Sequence, residues 1–263
     1  MSCNSSTSIK ESTMRLKDKV ALVTGGGTGI GRAISAFLAR EGAAVAVNYS
    51  RSEAEAIQTV AELKSIGVRS MAVRADVSDD RAVRAMVERV RGEWGRLDIL
   101  VNNAGVTRFV DHAKLEEMTE EDWDRIFAVN VKGVFFCCRA VAAIMKEQGR
   151  GRIINIASVA GINGRGSSIG YSASKGAVIT LTKSLSRVLG PEVTVNAIAP
   201  GFVDTRWFDG VKDIESFRQT YSSAAALKRV GGPEDIAEVT LSLAADWNSV
   251  TGQVIVADCG WTP

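Results

Sequence analysis

Along the chain, short runs of β-branched and apolar residues alternate with longer stretches whose apolar positions recur at helical spacing. "VALVT" (20–24), "AVAVN" (44–48), "RSMAVR" (69–74), "LDILVN" (97–102), "RIINIA" (152–157), "VTVNAIA" (193–199) and "GQVIVA" (252–257) have the length of strands. Several are apolar at consecutive positions, as strands covered on both faces are. Between them, 29–41, 52–66, 78–93, 120–148, 170–189 and 233–245 read as amphipathic helices. This alternation predicts βαβ units and an α/β fold with a doubly wound parallel sheet. None of the four prolines interrupts these runs, and no repeat, linker or composition break divides them. One domain over 16–263 is the expectation. Residues 202–232 form a long excursion before the last helix and strand, and such excursions often act as lids. Residues 1–15, rich in Ser and Thr, read as a disordered tail.

Composition narrows the classes. Of 263 residues, 46% are apolar, enough for a sizeable core. The net charge of +2 is scattered, which argues against a basic stripe for nucleic acid or membrane surfaces. Four cysteines, two of them adjacent (Cys137, Cys138), show no zinc or CxxC spacing. A reducing, cytoplasmic setting is expected. No apolar run reads as long enough to span a bilayer. The sequons at Asn4 and Asn48 then carry little meaning.

The first strand runs into "TGGGTGIG" (24–31), which opens the first helix. Gly25, Gly29 and Gly31 leave room for a tight turn, for a pyrophosphate against the backbone, and for helix close to strand. The helix N-terminus then turns its free N–H groups toward phosphate. Much later, "YSASK" places Tyr171 four residues before Lys175, on one helical face. A lysine charge ~4 Å from a phenol, at an effective dielectric of ~20, is worth ~4 kcal/mol. That predicts a phenol pKa lowered by about 3 units, close enough to neutrality for proton exchange.

The TGxxxGIG loop, "NNAG" (102–105) and "YSASK" occur in an order and spacing that resembles the short-chain dehydrogenase/reductase family, from about Leu16 to the C-terminus. The resemblance implies a single Rossmann domain with a seven-stranded parallel sheet. It also implies a tetrad of Asn130, Ser158, Tyr171 and Lys175. In that family the tyrosine exchanges a proton with the substrate oxygen and the serine hydrogen-bonds it. The lysine lowers the tyrosine pKa and holds the nicotinamide ribose, and the asparagine positions a water. Ser158 ends the strand "RIINIAS" and Tyr171 opens the next helix, so both fall at the carboxyl edge of the sheet, where such folds bind ligands. The same resemblance assigns cofactor contacts to Gly25, Thr28, Gly29 and Ile30; to Asp76 and Val77 at the adenine; to Asn102, Ala104 and Gly105; and to Pro200, Gly201, Val203 and Thr205 at the carboxamide.

At the end of the second strand, NAD-dependent relatives carry an acid for the ribose 2′-hydroxyl. Here Tyr49 stands at that position, followed by Ser50 and Arg51, with Asn48 alongside. A guanidinium with hydroxyls suits a 2′-phosphate, so NADP(H) is expected. Thr28 stands where many NADP-dependent relatives have a basic residue.

Two other patterns read as decoys. "GSSIG" (166–170) fits a hydrolase elbow, but the one histidine, His112, precedes it. Cys137 and Cys138 read as packed thiols. Phe109, Ile162, Phe202, Trp207 and Phe208 are candidates for an apolar substrate pocket. Arg108 and Arg165 are candidates for an anionic substrate group, or are simply solvated. Within the family, the overall look is that of 3-oxoacyl-ACP reductases, which place basic residues on the helix after the catalytic asparagine. Phe136 stands there instead. A small or medium free ketone is the expected substrate, and the reverse alcohol oxidation uses the same residues. The alternatives are a carrier-protein reductase, an NAD-dependent alcohol dehydrogenase, and a non-catalytic NADP(H)-binding sensor or scaffold. The helix at 133–145, apolar almost all round, is expected to join subunits in a homotetramer or dimer.

Overall fold

The computed structural model describes residues 14–209, 211 and 213–262. The expected tail therefore lies outside the described residues, except for Met14 and Arg15. Arg15 departs from the expectation, because its guanidinium pairs with Glu41 at 3.0 Å and Asp246 at 2.9 Å.

The strands are β1 (Val20–Val23), β2 (Ala44–Tyr49), β3 (Ser70–Arg74), β4 (Ile99–Asn102), β5 (Gly151–Ile156), β6 (Val193–Pro200) and β7 (Val254–Ala257). They form one seven-stranded sheet in the order β3-β2-β1-β4-β5-β6-β7, with every pairing parallel. The helices are α1 (Gly29–Arg40), α2 (Glu53–Ser65), α3 (Asp80–Trp94), α4 (Glu120–Phe127), α5 (Val134–Glu147), α6 (Ala160–Asn163), α7 (Ile169–Leu189), α8 (Ile214–Ala224) and α9 (Pro233–Ala245). Strand side chains alternate between two cores. Val20 and Leu22 face the core closed by α3, α5 and α7, whereas Ala21 and Val23 face the one closed by α1, α2 and α9. This double burial explains the consecutive apolar runs, and each such Val or Leu contributes about 1.5–3 kcal/mol.

Three features were not legible in the pattern. The helix expected at 120–148 runs unbroken from Glu120 to Glu147, but a π-helical stretch, Ala128–Gly133, joins α4 to α5 within it. That helix is long and apolar enough by composition to cross a bilayer, contrary to the expectation. Its apolar residues Val134, Cys137, Cys138, Val141 and Met145 are instead buried in the core. The excursion is also not bare loop. It holds a 3₁₀ turn, Arg206–Phe208, and α8, around a small cluster of Phe202, Tyr221 and Ala225.

β1 pairs with β2 on one side and β4 on the other. The chain reverses its winding there, so a crevice opens above the carboxyl ends of these strands.

Candidate active site

That crevice is a cleft of about 1100 Å³ running from the glycine loop to Tyr171 and the excursion. At one end, Gly25 and Gly29 have φ of +60° and +49°, a region that disfavours other residues. A Cβ on Gly31 would lie 2.2 Å from the Gly25 carbonyl oxygen, so only glycine brings α1 this close. The Thr28 side chain makes no capping bond, and the first turn of α1 holds no acid. The helix N-terminus thus faces the cleft with its own N–H groups. Thr28, Gly29 and Ile30 all line it. These features fit a pyrophosphate.

At the other end lie the hydroxyls. Ser158 follows β5 and its Oγ accepts from the Ala160 N–H at 3.1 Å, which fixes its rotamer. Ser168 caps α7, accepting from the Tyr171 N–H at 3.2 Å, and so sets where Tyr171 enters the helix. The Tyr171 phenol lies on the same cleft as Ser158, whose hydroxyl favours its ionised form. Lys175, one turn on, is buried, donates Nζ–H to the Ile156 carbonyl at 2.7 Å, and sits 5.6 Å from the Tyr171 ring centroid. Asn130, in the π-helical stretch, accepts from the Val106 N–H at 2.9 Å. Its Nδ2 donates to the Val106 carbonyl and the Ser174 Oγ, each at 3.0 Å. A Cβ on Gly105 would stand 3.5 Å from Asn130 Oδ1 and 3.8 Å from Lys175 Nζ. Glycine there keeps open the space between those two side chains.

The electrostatics overturn one expectation. Burial pushes the Tyr171 phenol up to about 12, and the Ser158 hydroxyl offsets only part of that. Burial also pushes the Lys175 ammonium down to about 8. A pairwise Coulomb argument counts the attraction between phenolate and ammonium but omits the cost of desolvating each. The side chains by themselves keep the phenol protonated at neutral pH.

Most expected cofactor positions line the cleft: Gly25, Tyr49, Ser50, Arg51, Asp76, Val77, Ala104, Gly105, Pro200, Gly201, Val203 and Thr205. Two expectations need correction. Asn48 lines the cleft, but its amide is spent on backbone. Its Oδ1 accepts from Gly25 N–H at 3.3 Å and its Nδ2 donates to the Val73 and Ala75 carbonyls at 3.2 and 3.1 Å. It ties the glycine loop to β3 rather than offering a donor to phosphate. Asn102 points into the core, where its Nδ2 donates to Asn155 Oδ1 at 2.8 Å. The next residue, Asn103, lines the cleft and braces the loop, donating Nδ2–H to the Thr24 and Gly25 carbonyls at 2.9 and 3.0 Å.

Phe109, Phe202, Trp207 and Phe208 line the substrate end, with the Trp207 ring centroid 5.8 Å from that of Tyr171. Ile162 does not: it is 48% exposed on α6, off the cleft. Arg108 is no free anion anchor either, because it pairs with Asp122 at the start of α4. Arg165 does line the cleft.

The family model described as Enoyl-(Acyl carrier protein) reductase matches residues 25–262. The chain belongs to the short-chain dehydrogenase/reductase family. It is 43% identical to the 3-oxoacyl-[acyl-carrier-protein] reductase FabG of Staphylococcus aureus over 92% of this chain and 97% of that protein. It is 42% identical to the protein of the same name from Thermotoga maritima, over 94% and 99%. Among solved structures, a gluconate 5-dehydrogenase from Burkholderia cenocepacia, in complex with NADP and tartrate, superposes with a TM-score of 0.87 at 33% identity, covering 95% of this chain and 97% of that one.

Within this short-chain dehydrogenase/reductase, several cleft residues had no sequence signal of their own. Arg206, Phe217 and Tyr221 reach the cleft only because the excursion folds over it. Asn103 and Ser174 sat inside quoted motifs, and their roles emerge only from their partners. The decoys resolve plainly. The serine of "GSSIG" is the buried cap of α7, His112 hydrogen-bonds the Gly166 carbonyl at 3.1 Å, and Cys137 and Cys138 are buried free thiols whose pKa burial raises.

Proposed function

We propose that this oxidoreductase reduces a free ketone of small or medium size with NADP(H), using Tyr171 as general acid. The observation that carries the reading is that Tyr171, Ser158 and buried Lys175 line one cleft together with the aromatic residues at its apolar end. When bound, the dinucleotide supplies the hydride. Hydride arrival leaves negative charge on the carbonyl oxygen, and two O–H donors aimed at one point stabilise it. Tyr171 gives up its proton to that oxygen and Ser158 holds it. A phenol that stays protonated at neutral pH suits the reductive direction, since a general acid must carry its proton. Lys175, with its pKa near 8, supplies positive charge as the proton leaves. Asn130 holds Val106 and Ser174, and with them the floor beside Lys175.

The NADP(H) choice rests on Arg51 and Ser50 at the end of β2, with no carboxylate paired to Arg51 among the described residues. The apolar choice rests on Phe109, Trp207 and Phe208. A second reading, reduction of a 3-oxoacyl thioester on a carrier protein, is favoured by the names of the relatives. The reading also places the protein in the cytoplasm as a homotetramer, for which the exposed Phe135 on α5 and Val188 on α7 offer apolar surface.

The test follows NADPH and NADH absorbance with ketones, β-keto esters and acyl thioesters, in wild type and Tyr171→Phe. Ketone-dependent NADPH oxidation that collapses in the variant is the expected result. Turnover of thioesters alone would favour the second reading. Cofactor binding without turnover in wild type would favour a sensor.

A further inference from the structure

Arg206 comes from the 3₁₀ turn after β6, yet it reaches across the cleft mouth to the start of α2. Its Nη1 donates to Glu55 Oε1 at 2.6 Å and its Nη2 to Ser52 Oγ at 2.7 Å. Ser50, Arg51, Ser52 and Arg206 all line the same cleft. Arg206, bound to Ser52, is thus carried to the residue next to Arg51, just beyond the end of β2. The excursion is held down at this point: the place of a Cβ on Gly29 lies 3.5 Å from the Thr205 methyl carbon. Nearby acids are engaged. Glu55 is held by Arg206, and Glu53 accepts from the Tyr49 hydroxyl at 2.7 Å. The Arg206 and Glu55 side chains are 48% and 42% exposed, so their ion pair adds little to stability and is free to serve another end.

We infer that Arg206 is a specificity-determining residue: reaching across the cleft mouth from the excursion, it brings a second guanidinium to the phosphate on the adenosine ribose and so favours NADP(H) over NAD(H). This rests on the NADP(H) reading above. A phosphate dianion takes charge-assisted bonds from two guanidiniums, where a ribose hydroxyl takes one weak one. The same arginine neutralises Glu55, whose carboxylate would otherwise repel that phosphate.

The test needs no turnover. Dissociation constants for NADPH, NADH and adenosine 2′,5′-bisphosphate are measured by fluorescence titration on wild type, Arg206→Ala, Arg51→Ala and Arg206→Ala/Glu55→Gln. Limited proteolysis of the excursion runs in parallel with each cofactor. Arg206→Ala is expected to weaken NADPH and the bisphosphate by about 10-fold or more and NADH by less than about 3-fold, the size of a lost charged hydrogen bond. NADPH protection of the excursion should fall, and the double variant should not regain wild-type affinity. Equal weakening of both cofactors, or none, while Arg51→Ala still weakens NADPH alone, overturns the role of Arg206 and leaves the cofactor reading standing. Full recovery in the double variant also overturns it, reducing Arg206 to a shield for Glu55. Wild type that binds NADH more tightly than NADPH sinks the cofactor reading, and this inference with it.

Discussion

Tyr171 and Lys175 share one face of α7, and burial drives their proton affinities apart, the phenol up to about 12 and the ammonium down to about 8. At neutral pH the phenol is uncharged in both the folded and unfolded chain, so Lys175 alone is expensive to bury. For Lys175 the folded value lies below the ordinary lysine value of 10.5, so the charged form is penalised in the fold. Between pH 8 and 10.5 the unfolded chain binds more protons at this site, so stability rises with pH across that window. Below pH 8 the full penalty, about 3 kcal/mol, is present. Lys175→Met should therefore raise the melting temperature at pH 7 while abolishing turnover. Calorimetry at pH 7 and pH 10 checks this, and the gain should shrink at the higher pH. A variant less stable at pH 7 would show that the bond to the Ile156 carbonyl outweighs desolvation.

A protonated Tyr171 predicts a directional pH response. Reductive kcat/KM should stay level through neutral pH and fall only on the alkaline side. Oxidation of the product alcohol, which needs the phenolate, should rise with pH over the same range. Tyr171→Phe should lower reductive kcat by about 10²–10⁴-fold with the NADPH dissociation constant changed little. Matching pH profiles in the two directions would assign the proton to another group.

How much of this was legible in the sequence divides by range. The glycine loop belongs to local spacing between β1 and α1 and the Tyr171–Lys175 pair to spacing along α7, with Ser158 supplied by the family resemblance, and the structure places all of them on one cleft. The same holds for the sheet, because double burial writes itself as consecutive apolar residues in β1, β2 and β5. What failed depended on burial and partners. The Tyr171 shift had the wrong sign because spacing shows a neighbour but not the dielectric around it. Asn48 and Asn102 were expected to face the cofactor. Strand alternation turns the Asn102 side chain into the core, and Asn48 spends its amide on backbone. Arg206 was invisible since its partners lie some 150 residues earlier.

The loop geometry makes Gly31→Ala a sharp probe of the phosphate end. The added methyl would overlap the Gly25 carbonyl and the Asn103 amide, at 2.2 and 2.5 Å, and neither is a flexible tip. Relief requires α1 to move away from β1 and the loop to open. NADPH binding should weaken at least about 100-fold, as expected when close backbone approach to a pyrophosphate is lost. Isothermal titration measures this, and far-ultraviolet circular dichroism checks that the sheet survives. Unchanged affinity would mean that phosphate binds elsewhere in the cleft.

Trp207 tests the apolar end of the cleft. Its ring stands 5.8 Å from that of Tyr171, so a substrate whose carbonyl meets the phenol rests its larger substituent against the indole. Trp207→Ala should raise KM for aryl and long-chain ketones by about 5–10-fold, in keeping with about 1 kcal/mol for an aromatic contact. For a ketone as small as acetone KM should hardly move, and kcat should fall little for either. A loss of kcat with KM unchanged would show that Trp207 instead orients Tyr171 itself.

Asn130 offers the last separation, between holding the fold and serving the reaction. Its amide satisfies the Val106 N–H and carbonyl and the Ser174 hydroxyl, and it lies in the π-helical stretch that interrupts an otherwise regular helix. Such stretches often mark functional sites, where the register of the helix is broken to aim one side chain. Asn130→Ala leaves these groups unpaired, at about 1–3 kcal/mol each when buried. The melting temperature should drop by about 5 °C or more, given about 2–4 °C per kcal/mol for a chain of this size. If Asn130 only braces Val106 and Ser174, kcat measured well below the new melting point should recover most of its wild-type value. If it also serves the Lys175 side of the site through the gap beside Gly105, kcat should stay low at every temperature. The second outcome is expected, because that gap opens onto both Asn130 Oδ1 and Lys175 Nζ.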